Sequence, residues 1–201
     1  GSRAKRLAPT EGAREQRDDG FAPELTLRTI EDAITLKQRV AARPSVIVVG
    51  GGPLGMEVAS GCLQAGCDVT LVSDVQPLSR QLGGHLSGMF TAAAARRGLR
   101  VVGGGKARLI DSDAGTRVVL ADGTHLEADL VVTAIGDEPN IDWLAGSNLL
   151  VDGSLRVDTR GRLRPEIVAA GDVAFFPTSR GVQRVPLWTS AIDQAKVAAV
   201  G

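Results

Sequence analysis

Apolar residues come in short dense runs along this chain, and their spacing changes from one run to the next. Residues 46–49, Val-Ile-Val-Val, form an unbroken β-branched run, the pattern of a strand buried on both faces. It stops at Gly50-Gly51-Gly52. Pro53 follows, standing where a helix would begin and where a missing N–H is no loss. A helical stretch runs from Glu57 to Ala65, and Gly66 can close it. A second apolar run, 69–72, ends at Ser73-Asp74. The pattern predicts a β-α-β unit over 46–72.

Similar punctuation divides the rest. Residues 1–20 are polar and charged and read as an arm or long loop. Residues 25–29 suit a short strand. Thr29 then suits a helix N-cap, with Asp32 three positions on, and Ile30, Ala33, Ile34, Leu36 and Val40 recur at helical spacing up to Arg43-Pro44. Residues 75–84 look irregular, 85–97 helical with Gly98 as the stop, and 99–102 a third parallel strand. Three short runs follow at 106–110, 116–121 and 125–128, separated by turns at 111–115 and at Asp122-Gly123. They predict an antiparallel meander where a doubly wound fold would place a helix. Residues 129–135 read as a buried strand stopped by Gly136. A small hairpin is expected around Asp152-Gly153, an apolar strand over 167–170 ending in Gly171-Asp172, and a last helix over 188–200.

Composition narrows the function classes. Lys plus Arg and Asp plus Glu both number 23, so no net field draws the chain to nucleic acid or anionic lipid. No apolar run is long enough to span a membrane, and no secretory signal is readable, so a cytoplasmic location is the expectation. His85 and His125 fall in unrelated segments, and neither a metal-ligand cluster nor a Ser-His-Asp grouping is apparent. Cys62 and Cys67 have a spacing that invites comparison with a redox dithiol. Their places, mid-helix and just before the next strand, put them in the scaffold, where cysteine packs as a small apolar residue.

Gly50, Gly52 and Gly55 form G-x-G-x-x-G between a strand and a helix. The first allows the tight turn, the second lets backbone approach a pyrophosphate, and the third lets helix pack on strand. N–H groups at the helix start face the phosphates. Asp74 lies about where such folds place the acid that meets the ribose. The fold class expected is α/β, a Rossmann-like parallel sheet with an antiparallel β-meander crossover.

Four features in order add to this: 46–57, the Ala-Asp-Gly-Thr hairpin with 128–132, Ala134-Ile135-Gly136-Asp137-Glu138-Pro139-Asn140, and Ala169-Ala170-Gly171-Asp172. Over residues 25–201 the chain resembles the pyridine nucleotide-disulfide oxidoreductase superfamily, and most of all its NADH-dependent, FAD-containing ferredoxin reductases. The resemblance implies that Gly50, Gly52 and Gly55 hold the NAD(P) pyrophosphate, with Pro53 and Leu54 beside it at the helix start. Glu57 matches an acid near the nicotinamide end, and Ile135-Gly136 the loop bordering the nicotinamide. The position of the ribose-reading acid falls at Ser73, one residue before Asp74. Arg80 is the nearest guanidinium able to reach a 2′-phosphate, and NAD(H) is expected ahead of NADP(H). Gly171-Asp172 matches the second flavin motif, and Trp188 the segment returning under the isoalloxazine ring.

No earlier glycine motif precedes Val46. The expected organisation is therefore an arm or FAD-domain remnant over 1–24, an NAD(P)-binding domain over 25–160, and an FAD-domain return segment over 161–201. Such a piece would be inactive alone. The whole enzyme would pass hydride from NADH to FAD and electrons to a ferredoxin-like acceptor protein, with no protein acid or base needed for the hydride step. The alternative is a non-catalytic dinucleotide-binding redox-sensor module.

Overall fold

In the computed structural model, which describes residues 1–7, 24–112 and 115–200, the β-branched runs pair side by side as read from their pattern. The arm is not all loop: its start is a strand, β1 (Ser2–Ala4). The remainder of the expected arm, 8–20, lies outside the described residues. Next come β2 (Glu24–Thr26), α1 (Ile30–Val40), β3 (Ser45–Val49), α2 (Pro53–Gln64), β4 (Asp68–Val72), α3 (Ser79–Arg96) and β5 (Arg100–Val102). The meander is β6 (Ala107–Ser112), β7 (Gly115–Leu120) and β8 (His125–Ala128), followed by β9 (Leu130–Thr133). The chain then forms β10 (Asp137–Pro139), β11 (Leu155–Arg156), β12 (Arg162–Arg164), β13 (Ile167–Val168), β14 (Ala174–Thr178), β15 (Gly181–Gln183) and α4 (Trp188–Val200).

The chain divides into two units, residues 4–136 and residues 1–3 with 137–201. The larger unit ends at Gly136, shortly after β9, the last strand of its parallel sheet.

In the larger unit five parallel strands run in the order β2-β9-β3-β4-β5. Side chains alternate between the two faces of a strand. Val46, Val48, Val69, Leu71, Leu130 and Val132 therefore join one core with Val58, Ala59 and Cys62 of α2. Ile47, Val49, Val72 and Val131 join another with Leu109, Val118 and Leu120 of the meander. A helix layer covers one face and an antiparallel sheet, β6-β7-β8, the other. Every apolar position of β3 is buried for this reason.

Local signals account for the helix ends. Thr29 and Asp32 form a reciprocal capping box at the start of α1. Leu36 and Val40 of α1 pack against the core while Ile30 and Ile34 stay exposed. The third helix starts earlier than its pattern suggests, at Ser79 rather than 85. Gly83, at φ 74°, interrupts it, and the residues before that break form a separate turn. Glycine tolerates this left-handed φ, and the interruption hid the first turn from a periodicity reading.

In the smaller unit β11, β14 and β15 form one sheet, β12 pairs with β13, and β1 pairs with β10. Ile141, Leu144 and Leu155 form its core. The hairpin expected around Asp152-Gly153 is reduced to a single bridge between Val151 and Ser154, because Leu155 turns to a parallel partner, Ala174. The strand expected over 167–170 is shortened to β13. The β14–β15 hairpin was not anticipated, since Phe175-Phe176-Pro177 carries no alternating pattern.

Leu130 is fully buried between β2 and β3. Leu130→Ala is expected to lower unfolding free energy by about 2–5 kcal/mol, through lost burial and the cavity left behind. Urea denaturation followed by circular dichroism measures this.

Candidate functional site

The glycine turn lies at the C-terminal edge of the parallel sheet, between β3 and α2. Its shape is dictated by contacts that no side chain could share. Gly50 has φ +118°, and a Cβ there would lie 2.2 Å from the Ala134 carbonyl oxygen. A Cβ on Gly55 would lie 1.8 Å from the Gly50 carbonyl oxygen. Helix α2 thus rests directly on the turn that precedes it. At Gly51 a Cβ would meet Ser73 Oγ at 2.3 Å. Gly52 differs: nothing lies within 4 Å of an added Cβ, and its φ of −76° is ordinary. Three glycines are filled in by protein, and one faces open space.

Hydrogen bonds fix the turn. Gly50 N–H donates to Val72 C=O at 2.8 Å, and Ala134 N–H donates to Val49 C=O at 2.7 Å. Leu78, held at φ 62°, donates its N–H to Gly51 C=O at 2.8 Å. A left-handed leucine costs about 1–2 kcal/mol, offset here by the bond it makes and the entry it shapes into α3. Helix α2 begins with Gly52 as N-cap and Pro53 in its first turn, and no side chain caps it. Its first-turn N–H groups have no partner within the helix and aim out beside Gly52. The positive end of the helix dipole adds to them. This cradle suits a pyrophosphate: donors, a positive potential and room at the one glycine that needs it.

The structure gathers most of the sequence-assigned residues of this unit around the turn. Ala134 touches Gly50 and Gly55, so Ile135 and Gly136 continue from the same edge; Ile135 is partly exposed, and Gly136 C=O accepts from Lys5 N–H at 3.0 Å. Ser73 is buried beneath Gly51. Asp74 and Arg80 are both exposed and bind each other, with Arg80 Nη2 donating to Asp74 Oδ2 at 2.7 Å. The reading that treated them as separate contacts for a ribose and a phosphate missed this pair. Leu54 and Glu57 border a groove of about 360 Å³ between α1 and α2, with Leu36, Val40, Val58 and Lys37. Glu57 is thus turned along α2 toward α1.

The smaller unit holds Gly171, Asp172 and Trp188. Gly171 N–H donates to Gln194 Oε1 at 2.7 Å, and Ser2 Oγ donates to Asp172 Oδ2 at 2.9 Å. A carboxylate that accepts one hydroxyl here has the chemistry to accept those of a polyol. Trp188 opens α4 with 83% of its surface exposed, so it is no part of the core. Sequence reasoning missed Gly51, Ala134, Ser2, Gln194 and Arg184. Gly51 had a visible signal as the middle of a glycine triplet, and Ala134 as the first residue of the 134–140 feature; the others are set by long-range contacts.

Cys62 and Cys67 are buried free thiols. Burial, reinforced by Cys67 nearby, pushes the Cys62 thiol up to about 11. Burial also raises Cys67, with Arg43 pulling the other way. Both features oppose thiolate chemistry. Among the described residues no group of His, Cys, Asp or Glu could hold a metal ion, and no helix is long and apolar enough to cross a membrane.

A parallel sheet with a glycine turn at its edge, a helix N-terminus behind it and a meander on the far face defines the Rossmann-like α/β class of nucleotide-binding units. Residues 1–195 match the family described as pyridine nucleotide-disulphide oxidoreductase, and the chain belongs to that family. It is 34% identical over 171 residues to the ferredoxin–NAD(+) reductase component of the p-cumate 2,3-dioxygenase system of Pseudomonas putida, covering 84% of this chain and 42% of that protein. It is 32% identical over 203 residues to the corresponding biphenyl dioxygenase component of Paraburkholderia xenovorans, covering 99% and 48%. Among solved structures, the ferredoxin reductase for the CYP199A2 system of Rhodopseudomonas palustris superposes with TM-score 0.86 at 30% identity, over 100% of this chain and 50% of that one. The chain therefore spans about half the length of the relatives it matches.

The two kinds of glycine should respond differently to substitution. Gly55→Ala is expected to lose at least about 1–3 kcal/mol of stability, because the clash is with backbone. Gly52→Val meets no clash and should cost less, about 0.5–1 kcal/mol for the poorer N-cap. Thermal and urea unfolding compare them.

For the thiols, non-reducing mass spectrometry after mild oxidation of folded protein is expected to show no Cys62–Cys67 disulfide. Thiolate absorbance should show Cys62 titrating near 11. Below an unfolded thiol value of about 8.5 both states keep the proton. As pH rises from there to about 11 the unfolded chain releases it first, so the stability gained from burying the thiol falls through that window.

Proposed function

We propose that this chain is the NAD(H)-binding part of an FAD-dependent oxidoreductase that passes electrons to a ferredoxin-like protein. The observation that carries the reading is the Gly50–Gly55 cradle: closed by protein at Gly50, Gly51 and Gly55, open at Gly52, and facing the uncapped start of α2. Relatives named as ferredoxin–NAD(+) reductases support the wider activity. So does the likeness, at 28% identity and TM-score 0.86, to the reductase of a covalent putidaredoxin reductase–putidaredoxin complex.

When bound, the two cofactors would supply the chemistry, hydride from nicotinamide to flavin and electrons onward. The protein's part is binding and alignment. Backbone N–H groups at Gly52, Leu54 and Gly55 would take the pyrophosphate. Ile135 and Gly136 would border the nicotinamide from the adjoining edge, with Glu57 further along α2. Ser73 would lie under the adenosine ribose. Gly171-Asp172 and Trp188 would serve the flavin, with Asp172 accepting hydroxyls as it does from Ser2.

The ion pair of Asp74 and Arg80 gives a reason for preferring NADH. While Asp74 holds Arg80, a 2′-phosphate would meet a carboxylate and an occupied guanidinium.

Calorimetric titration of the whole chain with NADH tests the reading. Measurable binding is expected in the parent, and none in Gly52→Val despite its intact fold. A parent with no heat and no fluorescence change at saturating ligand would overturn the proposal. NADH should bind better than NADPH, and Asp74→Ala should shift that ratio toward NADPH by roughly tenfold, about 1.4 kcal/mol, by releasing Arg80. An unchanged ratio would show that the pair does not face the ribose.

A further inference from the structure

The strongest feature left unused is the arginine that sits inside the smaller unit. Arg184 has 14% of its side chain exposed, and its partner Asp137 has 19%. Its Nη1 donates to Asp137 Oδ2 at 2.5 Å and to the Asp172 carbonyl at 3.1 Å. Its Nη2 donates to Asp137 Oδ1 at 3.1 Å and to the Asp137 carbonyl at 3.0 Å. One planar group thus holds both oxygens of a carboxylate and two main-chain carbonyls. A lysine could not do this, because its donors radiate from one atom.

We propose that Arg184 is a positioning residue that couples the loop ending at Gly136 to the Gly171-Asp172 turn, so that ordering the loop by a bound dinucleotide tightens the turn. The proposal rests on the functional reading above, in which residues 135–136 border the nicotinamide and Asp172 serves the flavin. Asp137 follows Gly136 directly in the chain, so a loop held at Ile135 leaves one residue of slack before the clamp. Beyond Asp137, the bidentate pair fixes both distance and direction, which a single hydrogen bond does not.

The turn is also held from other sides. Ser2 Oγ donates to Asp172 Oδ2, and Gly171 N–H donates to Gln194 Oε1, whose own Nε2 donates to Ser190 Oγ at 2.8 Å on α4. These bonds give the turn a definite pose. Arg184 differs because its carboxylate partner is the residue that follows the nicotinamide loop. A ligand that orders one end of such a linkage leaves less freedom to be lost at the other.

Amide hydrogen exchange on the whole chain, with and without saturating NADH, tests this. Useful reporters are the amides of Gly171 and Ala174, both hydrogen-bonded, the latter to Gly171 C=O at 3.0 Å. In the parent, NADH should slow exchange over residues 50–55 and also at Gly171 and Ala174, the latter by about fivefold. In Arg184→Lys the protection over 50–55 should remain and that at Gly171 and Ala174 should vanish. Asp137→Asn, which keeps one carbonyl acceptor on the side chain, should retain part of it, and it carries the test if Arg184→Lys fails to fold. Protection over 50–55 with no change at Gly171 and Ala174 in the parent would overturn the coupling alone. So would full protection at those amides in either variant. No protection anywhere in the parent would overturn the functional reading, and the coupling with it.

Discussion

The larger unit depends on how closely Gly55 lies against the Gly50 carbonyl, where an added Cβ would come within 1.8 Å of the oxygen. Because no Cβ intervenes, α2 can start directly against the strand turn that feeds it. That single contact sets the direction of the helix and the place where its unpaired N–H groups emerge. It also holds Gly50 against Ala134, so the ends of β3 and β9 stay level and the loop after β9 begins beside the turn. A larger residue at either glycine would lift the helix and close the cradle together.

Around that contact the sheet solves a packing problem. Its strands are apolar on both faces, so both faces need covering. Helices α1 and α2 cover one, and the three-stranded meander covers the other. The meander's own outer face meets water, which is why its strands alternate between apolar and charged residues such as Arg108, Arg117 and Glu127. Arg117 and Glu127 face each other across β7 and β8 as an ion pair. The buried thiols fit the same scheme. Cys62 fills a position in the helix-side core with Val58 and Ala59, and its raised pKa follows from that apolar setting.

The charges near the turn show why position along the chain is a poor guide to partnership. Asp74 and Arg80 lie on opposite sides of an irregular segment, and from the sequence each could be assigned its own ligand contact. The fold bends that segment so that Leu78 returns to Gly51, and the bend brings the two side chains together. Arg184 shows the same effect over a longer span, reaching Asp137 across 47 positions.

What the sequence determined by itself is whatever depends on neighbours in the chain. The β-branched runs specify β3, β4 and β9, Thr29 and Asp32 specify the start of α1, and the glycine triplet with Pro53 specifies the turn and the helix behind it. The antiparallel meander was equally legible, because alternation and an Asp-Gly turn are local signals. Tertiary structure alone decided the rest. It paired β1 with β10, drew β11 away from its hairpin to a parallel partner, and placed Ser73 under Gly51. It also left Gly52 as the one open glycine of the turn. These outcomes depend on which distant groups exclude one another's volume or satisfy one another's hydrogen bonds, and no spacing along the chain encodes that.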